Sequence, residues 1–118
     1  MLLVEDDEAV LAPTARFLRE QGFHVVSASR PDEAIALAQK AGFAADLLLT
    51  DVVMPVMNGR DLFDRVRRLL PRLRVVYMSG YTDDRIAQHG VLEPGMTFVQ
   101  KPFAFEDLAR KLRETLDA

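Results

Sequence analysis

The chain has 118 residues, is 49% hydrophobic and 28% charged, and carries a formal net charge of −3. That suits one compact domain with one sizeable core and argues against disorder. It contains no cysteine, which excludes disulfides, thiol nucleophiles and thiolate metal sites and agrees with a reducing cytoplasm.

In chain order, short apolar runs alternate with amphipathic stretches. Leu2-Leu3-Val4 reads as a strand, and Ala9 to Gln21 as a helix with Val10, Leu11, Thr14, Phe17 and Leu18 on one face. Pro13 falls inside that helix and removes a backbone donor, so a kink or a late start is expected. His24 to Ala28 is a second strand. Ala34 to Ala41 is a helix with Pro31 in or near its first turn. Asp46 to Thr50 is the third strand. Asn58 to Leu70 is the third helix, with Leu62, Phe63, Val66, Leu69 and Leu70 inward and Pro71 closing it. Val75 to Met78 is strand four, and Thr82 caps a short helix ending at Gly90. Thr97 to Val99 is strand five, and Phe105, Leu108, Ala109, Leu112 and Leu116 line the last helix. This is a (βα)₅ α/β pattern, which implies a parallel sheet covered on both faces, with strand order 2-1-3-4-5.

Three features limit the partners. His24 and His89 are far apart in sequence and form no ligand cluster. No apolar run approaches the roughly 20 residues of a membrane helix, so no membrane contact is expected; Met1 starts directly inside an apolar run with no leader, and a chain cut from a longer protein or trimmed at its start is expected. The mild acidity argues against nucleic acid as a partner of this domain alone. Arg60, Arg65, Arg67, Arg68, Arg72 and Arg74 form one basic stretch, interrupted by Asp61 and Asp64; a solvated helix face is the preferred reading of it.

In open parallel sheets, functional groups gather beyond the carboxyl ends of the strands. Strand one ends in Glu5-Asp6-Asp7-Glu8, strand three in Asp51, strand four in Ser79-Gly80 and strand five in Lys101-Pro102. Taken singly, each has a plain structural reading: helix-favouring acids, an Asx turn, a tight turn, a strand end. Taken together they converge carboxylates, a hydroxyl and a lysine. Clustered carboxylates repel unless a cation intervenes, and Mg²⁺ accepts such oxygen ligands along with phosphate oxygens. A carboxylate in this setting can act as a nucleophile and form an acyl phosphate.

The segments "LLVEDDEAV", "DVVMPVMNG", "YMSGYTDD" and "FVQKPF" resemble, in order and spacing, the motifs of the receiver domain of two-component response regulators. The likeness spans residues 1–118, one receiver domain, and is strongest to receivers of hybrid sensor histidine kinases. It implies a flavodoxin-like receiver fold and a phosphoryl group accepted by Asp51 from a phosphohistidine. It implies Mg²⁺ held by Glu5, Asp6 and Asp51 with the backbone carbonyl of Val53. Counting back from Val10 selects Glu5 and Asp6 as the acidic pair, with Asp7 kept as the alternative. Lys101 would pair with the phosphate, Ser79 beside Gly80 would be the switch hydroxyl, and Phe98 would hold the aromatic switch position, a role Tyr81 would share. The Lys101–Pro102 bond is often cis in this family.

The implied partner is a histidine kinase or histidine phosphotransfer protein, in the cytoplasm or on the cytoplasmic side of a membrane-bound kinase; a weak homodimer is left open. Enzymatic activity would be limited to self-dephosphorylation, unless the parent chain is itself a hybrid kinase. The Gly90 to Gly95 stretch suggests a short fourth helix and an altered signalling face. Three rivals stand beside this reading. A pseudo-receiver would bind proteins without taking phosphate, although every site residue is present. A haloacid-dehalogenase-like phosphatase wants a second Asp where Val53 stands. A flavodoxin-like FMN carrier needs a phosphate loop where Glu5 to Glu8 would repel phosphate.

Overall fold

The structure is a computed structural model that describes residues 1–80 and 97–117. Among them, five strands alternate with four helices: β1 (Leu2–Val4), α1 (Glu8–Glu20), β2 (Val26–Ala28), α2 (Pro31–Ala38), β3 (Leu47–Asp51), α3 (Gly59–Leu69), β4 (Arg74–Ser79), β5 (Phe98–Gln100) and α4 (Phe105–Asp117). The strands form one sheet in the order β2-β1-β3-β4-β5, with every pairing parallel. The helix expected from Thr82 to Gly90, Tyr81 and the Gly90 to Gly95 stretch lie outside the described residues.

The central strands explain the order. All residues of β1 and β3 are buried, as strands covered on both faces must be. Their alternate side chains feed two cores. Leu2, Val4 and Leu48 pack with Ala34, Leu62 and Val66 on one face. Leu3, Leu47, Leu49 and Met78 pack with Leu18, Leu108 and Leu112 on the other. The short strand β2 lies at the edge, with Val26 exposed.

Several boundaries differ from the sequence reading. The first helix starts at Glu8 and runs as helix through Pro13, so the late start does not occur. Asp7 caps it, accepting from the Ala9 N–H at 3.0 Å, and this holds the first turn in place ahead of the proline. Pro13 sits on the exposed side, where the Ala9 carbonyl that loses its partner can bond to water. The second helix begins three residues early, because Pro31 occupies its first turn, and ends at Ala38. Leu69, expected inward, is 44% exposed. Leu73, from the turn beyond the helix, fills the core there, and Leu70 packs against it.

Candidate functional site

The chain just past β1, β3 and β5 delivers charged groups to the carboxyl edge of the sheet. Asp51 is the last residue of β3, paired in register with Met78, and its strand neighbours leave it only 4% exposed. Glu5 follows β1 directly, is 1% exposed, and its N–H donates to the Ala28 carbonyl at 3.2 Å, extending the β1–β2 pairing. Lys101 follows β5, where its N–H donates to the Ser79 carbonyl at 2.7 Å. The Lys101–Pro102 peptide bond is cis.

These groups meet. Lys101 Nζ lies 2.5 Å from Glu5 Oε2 and 2.6 Å from Asp51 Oδ1. Carboxylate oxygens of Glu5, Asp6 and Asp51 all lie within 4.8 Å of one another. The Asp6 N–H approaches Asp51 Oδ2 at 3.4 Å, and the Asp7 N–H donates to Glu5 Oε1 at 3.1 Å. Asp7 itself turns its carboxylate to the start of α1. A cavity of about 260 Å³ opens here, lined by Glu5, Asp6, Asp7, Asp51, Val53, Met78, Gly80 and Lys101. Ser79 is buried at the end of β4. Phe98 lies one strand away and packs with Val53 and Val75 on the buried pair Val52 and Tyr77.

One lysine faces two buried carboxylates, so negative charge is in excess. Asp51 responds: its pKa is pushed from 3.8 up to about 8, first by burial and then by Glu5, with Lys101 pulling the other way. Burial pulls the Lys101 ammonium down, but Asp51 and Glu5 more than offset this and leave it raised. An added cation would relieve the imbalance, and the donors available are all hard oxygens, which suits Mg²⁺ rather than a softer metal.

The loop after Asp51 is tightly constrained. The Gly59 N–H donates to the Val52 carbonyl at 2.8 Å. A Cβ built on Gly59 would overlap the carbonyl oxygen of Asp51, so only glycine lets α3 start this close to the strand. Asn58 caps α3 by accepting from the Asp61 N–H at 2.8 Å. Just upstream of Asn58, Val56 has φ 74° and the Met57 N–H reaches back to the Pro55 carbonyl at 2.9 Å. That is a γ-turn of the strained hand, with a β-branched residue at its centre and fully exposed.

The sequence reading missed two of these parts. Gly59 stood in a quoted motif, but its spacing alone did not show that it is pressed against the Asp51 carbonyl. The Glu5–Lys101 ion pair joins residues 96 apart in the chain, and only the alternation of buried strands could have suggested it.

Comparison with known proteins agrees with the fold. Residues 1–113 match the family model of the response regulator receiver domain. The sensor kinase CckA of Brucella abortus is 33% identical over 117 residues, covering 99% of this chain and 12% of the kinase. The response regulator receiver protein CpdR of the same organism is 29% identical over 118 residues, covering 100% of this chain and 97% of CpdR. The crystal structure of the receiver domain from the hybrid histidine kinase CckA superposes with a TM-score of 0.81 at 35% identity, covering 98% of this chain and 96% of that one. Vibrio cholerae CheY4 gives a TM-score of 0.80 at 29% identity, covering 97% and 95%. The chain thus spans a small part of CckA and nearly all of CpdR, and it belongs to the response regulator receiver domain family of two-component systems.

Proposed function

We propose that this receiver domain takes a phosphoryl group from a phosphohistidine onto Asp51 and changes conformation in response. The observation that carries the reading is the convergence on Asp51: Lys101 Nζ at 2.6 Å, with the Glu5 and Asp6 carboxylates within the same 4.8 Å cluster. In the transfer, the donor P–N bond breaks as a P–O bond to an Asp51 carboxylate oxygen forms. The imidazole leaves with its electron pair. Lys101 would follow the charge onto the phosphoryl oxygens, because positioning and electrostatics dominate this chemistry.

Glu5, Asp6, Asp51 and the Val53 carbonyl would hold Mg²⁺, which supplies charge neutralisation for the transferring oxygens. Asp7 is engaged as a helix cap and would stay outside that set. The product adds a charge of about −1.5 to −2 at a strand end. Ser79 would then move its hydroxyl toward the phosphoryl group, and Phe98 would change its packing on Tyr77. Hydrolysis would reset the site.

Receiver domains interact with histidine kinases or phosphotransfer proteins, and one of these would be the donor here, acting in the cytoplasm. Among the described residues, no helix is long and apolar enough to cross a membrane.

The test is intact mass after incubation with acetyl phosphate and Mg²⁺, beside Asp51→Ala. A phosphate-sized gain in the wild type alone supports the reading. No gain with acetyl phosphate, beryllofluoride or a phosphohistidine donor would make the domain a pseudo-receiver, a protein-interaction module that is not phosphorylated.

A further inference from the structure

The basic stretch of α3 is not used by the phosphoacceptor site. From Arg65 to Arg74 the chain has five arginines and no carboxylate, in a protein whose net charge is −3. Two of the five have internal work. Arg74 Nη1 donates to the carbonyls of Thr115 and Leu116 at 2.5 and 2.6 Å, closing the end of α4. Arg67 lies over the Phe63 ring at 5.1 Å and reaches Asp64 at 3.8 Å.

The other three, Arg65, Arg68 and Arg72, are exposed and have no ion pair or hydrogen bond among the described residues. Arg65, Arg68 and Leu69 stand at i, i+3 and i+4, which puts them on one flank of the helix, and Arg72 follows in the loop beyond the helix end. Leu69 is 44% exposed in the middle of this group. One or two arginines in the last turn would suffice to complement the helix dipole; three around an exposed leucine, without a partner among the described residues, exceed that need.

We propose that this end of α3 docks an acidic polypeptide segment, one that presents several carboxylates around an apolar side chain covering Leu69. Guanidinium groups match carboxylates in a planar, two-pronged geometry. The choice among polyanions follows from size. The stripe is short: Arg65 to Leu69 is about one helical turn, roughly 6 Å, and Arg72 lies just past the helix end. Nucleic acid or an anionic bilayer extends well beyond that and would meet a surface that is acidic elsewhere, within about one Debye length. A short acidic segment covers the stripe alone. The location is also separate from the phosphoacceptor. α3 starts beside Asp51 and ends toward the start of β4, the opposite edge of a parallel sheet. A partner here would leave Asp51 accessible to its donor.

The test uses the ¹⁵N-labelled domain with three probes: a helical peptide with glutamates at i, i+3 and i+7 around one leucine, a single-stranded oligonucleotide, and phosphatidylglycerol vesicles. The expected result is peptide-induced shifts confined to the amides of residues 65–74, with affinity falling about tenfold as salt rises from low to physiological strength. Arg65→Glu with Arg68→Glu and Arg72→Glu should abolish those shifts. Leu69→Ser should weaken binding severalfold with no change in charge. Both variants should keep the wild-type melting curve and take up phosphate from acetyl phosphate as before, which separates this result from failure of the phosphoacceptor reading. Three outcomes would overturn the proposal: no shifts at low salt, shifts that survive charge reversal, or stronger binding of the oligonucleotide or vesicles to the same residues.

Discussion

The two ends of α3 are one helix under two physical regimes. At its start, Gly59 is pressed against the Asp51 carbonyl, Val56 holds a strained turn just upstream, and Asp51 carries a pKa of about 8. At its end, Arg65, Arg68 and Leu69 lie open to solvent, and neither arginine has an ion pair or hydrogen bond among the described residues. The first end combines an unfavourable exposed turn with charge held in a buried site, as functional sites often do. The second is relaxed and costs the fold little. Stability should therefore respond strongly, and in both directions, to changes at the first end, and hardly at all to changes at the second.

The largest effect is expected from Gly59→Ala. The new methyl must displace either the Asp51 carbonyl or the start of the helix, so urea unfolding should show a loss of about 2–4 kcal/mol. A loss under about 0.5 kcal/mol would mean that the loop yields easily and that its tight approach to β3 does not hold Asp51 in place.

Asp51→Asn should act in the opposite direction. The folded pKa of Asp51 lies above its ordinary 3.8, at about 8, so folding favours the protonated acid. The wild type is therefore free of the penalty below the ordinary carboxylate range and progressively loses stability as pH rises toward the folded value. Above neutrality and without divalent cations, Asn at this position should raise stability by about 1–3 kcal/mol. The gain should shrink on acidification and on addition of Mg²⁺ to the wild type. Thermal melts across pH, with and without Mg²⁺, measure both trends; a pH-independent gain would place its origin in packing rather than charge.

Val56→Gly is expected to stabilise by about 0.5–1 kcal/mol, because glycine accepts a positive φ and the side chain has no packing to lose. Denaturant midpoints would reveal this, and a loss instead would show that the exposed valine makes favourable contacts. Smallest of all, Arg65→Gln and Arg68→Gln should each change stability by less than about 0.5 kcal/mol. A larger loss in calorimetry would erase the contrast between the two helix ends and give these arginines a structural role.

Much of this was legible in the chain itself. Fully buried strands read as unbroken apolar runs, so Leu2-Leu3-Val4 and the segment ending at Asp51 revealed a parallel sheet and its carboxyl edge. The motifs that lie on those edges located Glu5, Asp6, Asp51, Ser79 and Lys101, because in this topology chemistry collects where strands end. Helix periodicity also located most of the core, including Leu18, Leu62, Val66, Leu108 and Leu112.

Other features were decided only by the packed structure, since they depend on distances between residues far apart in sequence. The Glu5–Lys101 ion pair and the raised pKa of Asp51 arise from burying Glu5 and Asp51 together beside Lys101, which no local pattern encodes. Periodicity put Leu69 inside; Leu73 took the core position from beyond the helix end and left Leu69 in solvent. Local sequence determines which way a strand or helix wants to face. Where two elements compete for the same volume, or two charges for the same counter-ion, the outcome belongs to the tertiary structure.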